Sequence, residues 1–432
     1  MDNDLNITFQ DKENGGFMSE KLKLTESMRM YEEAKTLSPG GMMGIRRPYN
    51  FVPGEYPIFI KEGKGGMITD VDGNSYIDML CAYGPIILGY VEPEIDEAVQ
   101  EQMKRGFCFS LVQPAQNQLI KKLKEIIPCC EMGIIMKTGS DATTCAVRIA
   151  RGYTHRDKII RCGYHGWHDW CVEVHGGVPE HVSRDTLEVH YNDINGLKTL
   201  FEENKDQIAC LIITPVGHPL NAPVSAPPAG YLEEVREITK KYGAVLIFDE
   251  IRSGFRVSMG GAQQRYGVTP DLAVFGKAMA NGYPISAVVG KREIMSIAEK
   301  EVFISSTFFP NSLEMVAALK CIEILERDRV LDKIWERGEL FLEKLQHTVG
   351  RSGIKCSVSG IPPMPFITFD KDSSGQYKEL RTRFYTEAIR RGLFIQPFHH
   401  WYICHRHGEE ELTKAHCIIE ASLAATRDSQ AQ

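Results

Sequence analysis

Between residues 134 and 290, short apolar runs alternate with helical patterns, and this alternation limits the fold more than any other feature. The runs are GIIMKTG, KIIRC, CLIITPV, AVLIFDE, DLAVFGK and ISAVVG; DATTCAVRIARGY and GYLEEVREITKKYG are two of the helical stretches between them. A strand apolar at nearly every position needs cover on both faces, and a helix between successive strands supplies it while returning the chain for parallel pairing. The pattern predicts an α/β fold with a mostly parallel sheet. The last 120 or so residues read differently: the long helix LEMVAALKCIEILERD, another around 332–349, then short strands and a final helix. They predict a second, smaller α+β domain, which a chain of 432 residues can hold.

The expected division is a mobile extension over 1–20, an N-terminal segment over 21–75 that contributes to the small domain and the active-site entrance, a large domain over 76–310, and a small domain over 311–432. A helix is expected over 18–36, stopped by SPGG, and a hairpin turning at Asp72-Gly73. EPEIDEAVQEQMKRG reads as an amphipathic helix.

The net charge of −7 offers no basic excess for nucleic acid. No apolar run is long enough to span a bilayer, and the start, MDNDLNITFQDKENGG, lacks the basic and apolar parts of a secretory signal. The twelve cysteines include no C-x-x-C pair and read as free, mostly buried thiols of a reducing cytoplasm.

Ligands of open α/β sheets sit beyond the carboxyl ends of the strands, so the residues just after each run are the candidate site. Thr138, Gly139, Ser140 and Asp141 open a helix after GIIMK, a place where free amides suit a phosphate; an ordinary cap by Ser140 or Thr138 is the alternative. Neither G-x-G-x-x-G nor G-x-x-x-x-G-K-[ST] occurs. After KIIRC, GYHGWHDW crowds Tyr164, His165, Trp167, His168 and Trp170 together, for stacking on a flat ligand or for packing. Asp249 and Glu250 follow AVLIF, and Lys277 follows DLAVFG. Burial lowers a lysine's pKa, as a Schiff-base lysine requires, and a plain Asp249–Lys277 salt bridge would leave the phosphate loop and the aromatics unexplained. A phosphate site, an aromatic, an acid and a buried amine together match pyridoxal 5'-phosphate (PLP).

These motifs also resemble a family. LSPGGMMGIRRP, ITDVDGNSYIDML, YGPIILGY, TGSDATTCAVRIAR, GYHGWHD, FDEIRSGFR, FGKAMANGYP and STFFPNSLEMVAA follow in the order seen in class III aminotransferases of the fold-type I PLP enzymes, from about residue 23 to the C-terminus. The branch most resembled is glutamate-1-semialdehyde aminomutase and its aminotransferase relatives. The resemblance implies that Lys277 holds PLP as a Schiff base, Asp249 pairs with the pyridine nitrogen, and Tyr164 and Ile251 flank the ring. It implies that Gly139 and Ser140 bind the phosphate, with Asp141 and His165 in the same cofactor set. Thr307 matches a threonine that reaches the neighbouring subunit's phosphate, which implies a homodimer, and Arg47 matches an arginine for a substrate carboxylate. Glu250 and Arg252 are left as scaffold or interface residues.

The substrate side departs from the aminomutase at Met43, Gly44, Tyr83, Thr214 and His399. The His-rich stretch QPFHHWYICHRH fits a pocket wall better than a metal site, and no metal is expected; Tyr83 and His399 join Arg47 as expected substrate contacts. The expected activity is transfer of an amino group between an amine or amino-acid donor and an aldehyde or keto acceptor. Alternatives are an aminomutase, or a non-catalytic protein keeping the fold.

Overall fold

A computed structural model describes residues 19–41, 48–217 and 224–428. Its central sheet has seven strands, in the spatial order Met132–Met136, Ser286–Gly290, Leu272–Phe275, Val245–Asp249, Ile208–Ile213, Lys158–Cys162 and Thr186–Glu188. Pairing is parallel from Leu272–Phe275 to Thr186–Glu188, while Ser286–Gly290 runs antiparallel to both of its neighbours. The mostly parallel sheet is therefore present, with one strand of opposite sense. Edge strand Thr186–Glu188, short and only partly buried, lies outside the six apolar runs.

Strand Val245–Asp249 shows why these runs must be central. Val245 and Ile247 join one apolar cluster, Leu246 and Phe248 another, one on each face of the sheet. Helix Gly139–Thr154 covers the first face with Ala142, Cys145, Ala146 and Ile149. Helices Pro114–Ile126 and Tyr231–Tyr242 bring Leu119, Leu123, Val235 and Ile238 to the second cluster. Each large side chain so buried contributes about 1.5–3 kcal/mol.

The hairpin at Asp72-Gly73 is present, with strands Met67–Asp70 and Ser75–Asp78 paired antiparallel. Buried Asp70 accepts from the amides of Asp72 (3.0 Å) and Asn74 (2.9 Å), and Gly73 takes a φ of +92° that favours glycine. Strand Leu393–Phe394 pairs parallel to Ser75–Asp78, tying C-terminal chain to N-terminal chain. The helix expected over 18–36 spans Thr25–Leu37 instead. Its beginning is set from outside: the carboxylate of Asp72 accepts from the amides of Glu26 and Ser27, both at 2.8 Å. The C-terminal third holds helices Leu313–Arg327, Val330–Arg351, Gln376–Arg390 and Glu409–Asp428 and the hairpin Cys356–Ile361 with Met364–Phe369. Among the described residues no helix is long and apolar enough to cross a membrane.

Candidate active site

The carboxyl ends of the strands converge on a cavity of about 340 Å³. Lys137, Gly139, Ser140, Tyr164, His165, Asp249, Ile251, Arg252 and Lys277 are in its wall. The sheet thus brings together residues scattered over 140 positions of sequence.

At one end of this cavity, helix Gly139–Thr154 begins with a capping box. Thr138 Oγ1 accepts from the Asp141 amide (3.2 Å), and Asp141 Oδ2 accepts from the Thr138 amide (3.0 Å) and hydroxyl (2.7 Å). Thr138 is the cap that one sequence alternative expects, and the box uses the amides of Thr138 and Asp141, so a phosphate at the amides of Gly139 and Ser140 is compatible with it. Asp141, expected in the cofactor set, closes the box with its carboxylate, as suits a negative group at a helix start, and is not among the residues of the cavity wall. Ser140 Oγ accepts from the Trp167 amide (3.3 Å), and a Cβ at Gly166, whose φ is +120°, would collide with that oxygen. Gly166 therefore fixes how closely the aromatic loop approaches the helix.

Asp249, 5% exposed, shares a 2.7 Å hydrogen bond with His165 Nδ1, and its other oxygen accepts from the Ile251 amide (3.2 Å). His165 is itself buried, stacked on Trp170 with ring centroids 6.5 Å apart, and its backbone carbonyl accepts from Thr143 Oγ1 (2.7 Å). It holds the carboxylate from behind. Trp170 Nε1 donates to Thr144 Oγ1 (2.8 Å) and His168 Nδ1 lies 2.7 Å from the same oxygen, whereas Trp167 is exposed.

Lys277 opens a tight turn, Lys277–Ala280, in the left-handed region at φ 43°, a conformation that costs a non-glycine residue about 1–2 kcal/mol. Its Nζ donates to the carbonyl of Tyr83 (3.0 Å). Burial, then the Arg252 charge, bring its pKa from the ordinary 10.5 down to about 7, with Asp249 opposing them. No Asp249–Lys277 ion pair is formed among the described residues, so the simple salt bridge does not account for either group.

The carbonyl that receives Lys277 belongs to a strained segment. Cys81, Ala82 and Tyr83 all have positive φ (48°, 53° and 67°). Three groups from elsewhere hold it: Asp78 Oδ1 accepts from the amides of Leu80 (2.8 Å) and Cys81 (3.1 Å), fully buried Arg256 donates to the Gly84 carbonyl (3.0 Å), and Asn281 Oδ1 accepts from the amides of Ile87 (3.0 Å) and Leu88 (2.8 Å). Arg256 and Asn281 carried no local signal beyond a charged or amide residue near a site motif. Glu250 is structural as expected: fully buried, it accepts from the Ser253 hydroxyl and from the amides of Ala262 (2.8 Å) and Gln263 (3.0 Å). Arg252, expected as a scaffold or interface residue, lies in the cavity wall.

The remaining expected contacts lie further out. Tyr83 borders a neighbouring, mainly apolar cavity of about 640 Å³, and its ring meets His399 edge-on with centroids 5.1 Å apart. His399 is buried against His400, centroids 4.3 Å apart, outside the smaller cavity. Thr307 is exposed and away from this chain's own cavity, and Arg47 lies outside the described residues. The His-rich stretch brings Cys404 and His407 to Cys81, with possible ligand atoms within 4.8 Å of one another. His407 Nδ1 accepts from the Cys404 amide (3.1 Å) and the Cys81 thiol donates to the Asp78 carbonyl (3.3 Å), so internal hydrogen bonds already engage the cluster.

An anion-ready helix start, a buried carboxylate held by a histidine, an aromatic and an isoleucine in the wall, and an amine with depressed basicity suit PLP in phosphate, ring nitrogen, ring faces and aldehyde. A PLP-dependent enzyme of fold type I is the class of protein that such a sheet and site define. Comparison with known proteins narrows it. The aminotransferase class-III family model matches residues 51–407. A 3-aminobutyryl-CoA aminotransferase of Cloacimonas acidaminovorans is 60% identical over 95% of this chain and 99% of its own length. A glutamate-1-semialdehyde 2,1-aminomutase of Methanosphaera stadtmanae is 35% identical over 93% of this chain and 99% of its own. Among solved structures, the PLP internal aldimine form of the Sphingopyxis sp. MTA144 FumI protein superposes with a TM-score of 0.90 at 27% identity, covering 94% of this chain and 98% of that one. The chain belongs to the class III aminotransferases, and it is a PLP-dependent aminotransferase.

Proposed function

We propose that the amino donor is a β-amino acyl thioester of the 3-aminobutyryl-CoA type. The observation that carries this reading is the 60% identity, over nearly the full length of both chains, to a protein named for that substrate. The departures at Tyr83, Thr214 and His399 agree with a substrate unlike that of the aminomutase, and the apolar cavity beside Tyr83 offers room for a long carrier arm. Loss of the amine from C3 leaves a ketone there, a 3-oxoacyl thioester.

In this reading Lys277 holds the cofactor, and its Nζ, neutral in part near pH 7, moves the proton at the amine-bearing carbon. Asp249, oriented by His165, holds a proton on the ring nitrogen. Tyr164 and Ile251 position the ring, and Gly139 and Ser140 hold the phosphate. PLP, when bound, supplies the electron sink for charge developing at that carbon. Thr307, exposed in one chain, completes the neighbouring site of a homodimer.

The test is incubation of PLP-loaded protein with 3-aminobutyryl-CoA alone. One equivalent of 3-oxo thioester per site, with conversion of the cofactor absorbance to the aminated form, is expected; turnover should then await a carbonyl acceptor. An isomer of glutamate-1-semialdehyde formed efficiently, with no reaction of the thioester, would overturn the proposal in favour of the aminomutase.

A further inference from the structure

Among the described residues the cavity wall holds three cationic side chains, and two have evident employment. Lys137 Nζ donates to Glu314 Oε2 (2.9 Å) and to the Asn311 carbonyl (3.4 Å), so its charge is neutralised within the fold. Lys277 is the reacting amine. The third, Arg252, forms no ion pair with a carboxylate among the described residues; its side chain meets the neutral hydroxyl of Tyr402, and its buried Nε finds no acceptor there. The two acids just before it are committed elsewhere, Asp249 to His165 and the Ile251 amide, Glu250 to the Ser253 hydroxyl and the amides of Ala262 and Gln263. Arg256, four residues on, is no substitute: it is fully buried, and its guanidinium donates to the carbonyls of Ile403 (3.0 Å) and Gly84 (3.0 Å). Arg252 shares the cavity wall with Lys277, and after burial its charge does most to lower the basicity of that lysine.

An arginine in a cavity wall with no carboxylate paired to it is matched to an incoming one, because its planar fork binds carboxylate oxygens two at a time. Aminotransfer passes two substrates through a single site. If the donor is a thioester, as proposed above, it brings no carboxylate next to its reacting carbon; a 2-oxo acid acceptor does. We infer that Arg252 is the carboxylate-recognition residue for the second substrate, a 2-oxo acid and the amino acid formed from it. This rests on the thioester reading for the division of labour between the two half-reactions.

Glutarate, a dicarboxylate that cannot exchange an amine, probes the site at equilibrium by calorimetry with PLP-loaded protein. Arg252→Gln is expected to weaken glutarate binding about tenfold or more, the size of a lost charge-assisted pair. In stopped-flow, the reaction of the aminated protein with 2-oxoglutarate should fall by at least about ten times the factor by which the reaction with 3-aminobutyryl-CoA falls. Arg252→Lys keeps the charge but not the fork and should lie between the two; it carries the test if Arg252→Gln does not load cofactor. Glutarate affinity unchanged in the variants, or equal losses in both half-reactions, would overturn the assignment. A shifted cofactor absorbance titration with unchanged glutarate binding would also overturn it, by giving Arg252 to the cofactor instead. Failure of wild-type protein to react with the thioester would sink the donor reading while leaving the glutarate measurement intact.

Discussion

Replacing Lys277 by methionine in cofactor-free protein should stabilise it, by an amount that depends on pH. A lysine ordinarily protonated up to 10.5 is held here at about 7. That displacement is worth about 5 kcal/mol against the charged form. Solvent reaching the half-buried side chain screens it to about 2–3 kcal/mol. The unfolded lysine keeps its proton up to 10.5 while the folded one releases it near 7, so between these values the unfolded chain binds more protons and stability rises with pH. The penalty is complete below pH 7 and lost by 10.5. Methionine keeps the apolar stem and removes the charge. In urea unfolding, Lys277→Met should be more stable than wild type by about 2–3 kcal/mol near pH 6.5, with the gap shrinking to about half of that near pH 9.5. Equal stabilities near pH 6.5, or a gap indifferent to pH, would refute the claim that the fold holds this amine against its charge.

Three other outcomes follow from the same geometry. Gly166→Ala should push Ser140 off the helix start and weaken PLP binding about tenfold or more, read from cofactor absorbance titrations; wild-type affinity would remove Ser140 from the phosphate site. Burial lifts the Glu250 carboxyl to about 7, so its stabilising contribution is complete below 4.5 and lost as pH rises through 7; Glu250→Gln should flatten thermal stability across that window, and Glu250→Ala should cost about 2–4 kcal/mol by stranding the amides of Ala262 and Gln263. Asp249→Asn should still bind PLP but lose about 100-fold or more in turnover, and an unchanged rate would remove its role at the ring nitrogen.

What could be read from the chain and what could not divide along a physical line. Apolar runs with a period that demands two-sided burial announced the sheet, and the rule that ligands gather at its carboxyl ends then pointed to Ser140, Tyr164, Asp249 and Lys277, which share one cavity wall. Features set by partners distant in sequence were not legible. The start of helix Thr25–Leu37 depends on Asp72, 46 residues from Glu26. The strained carbonyl at Tyr83 depends on Asp78, Arg256 and Asn281, and nothing local marks Arg256 as the donor to a carbonyl 172 residues away. An acid such as Asp141 at a helix start looks alike in the sequence whether it caps the helix or meets a ligand, and only the folded loop shows its carboxylate in the cap. Arg252 was left as a scaffold or interface residue because its place in the cavity wall shows only once the strand ends are assembled.

The central claim is that one lysine, Lys277, carries the cofactor in the cavity built by these strand ends. Borohydride reduction of the PLP-loaded protein, followed by proteolysis and mass spectrometry, tests it directly. The expected result is a single pyridoxyl-modified peptide whose modified residue is Lys277, absent from Lys277→Ala protein. Modification at Lys137 or at a surface lysine instead, or none at all, would contradict the assignment.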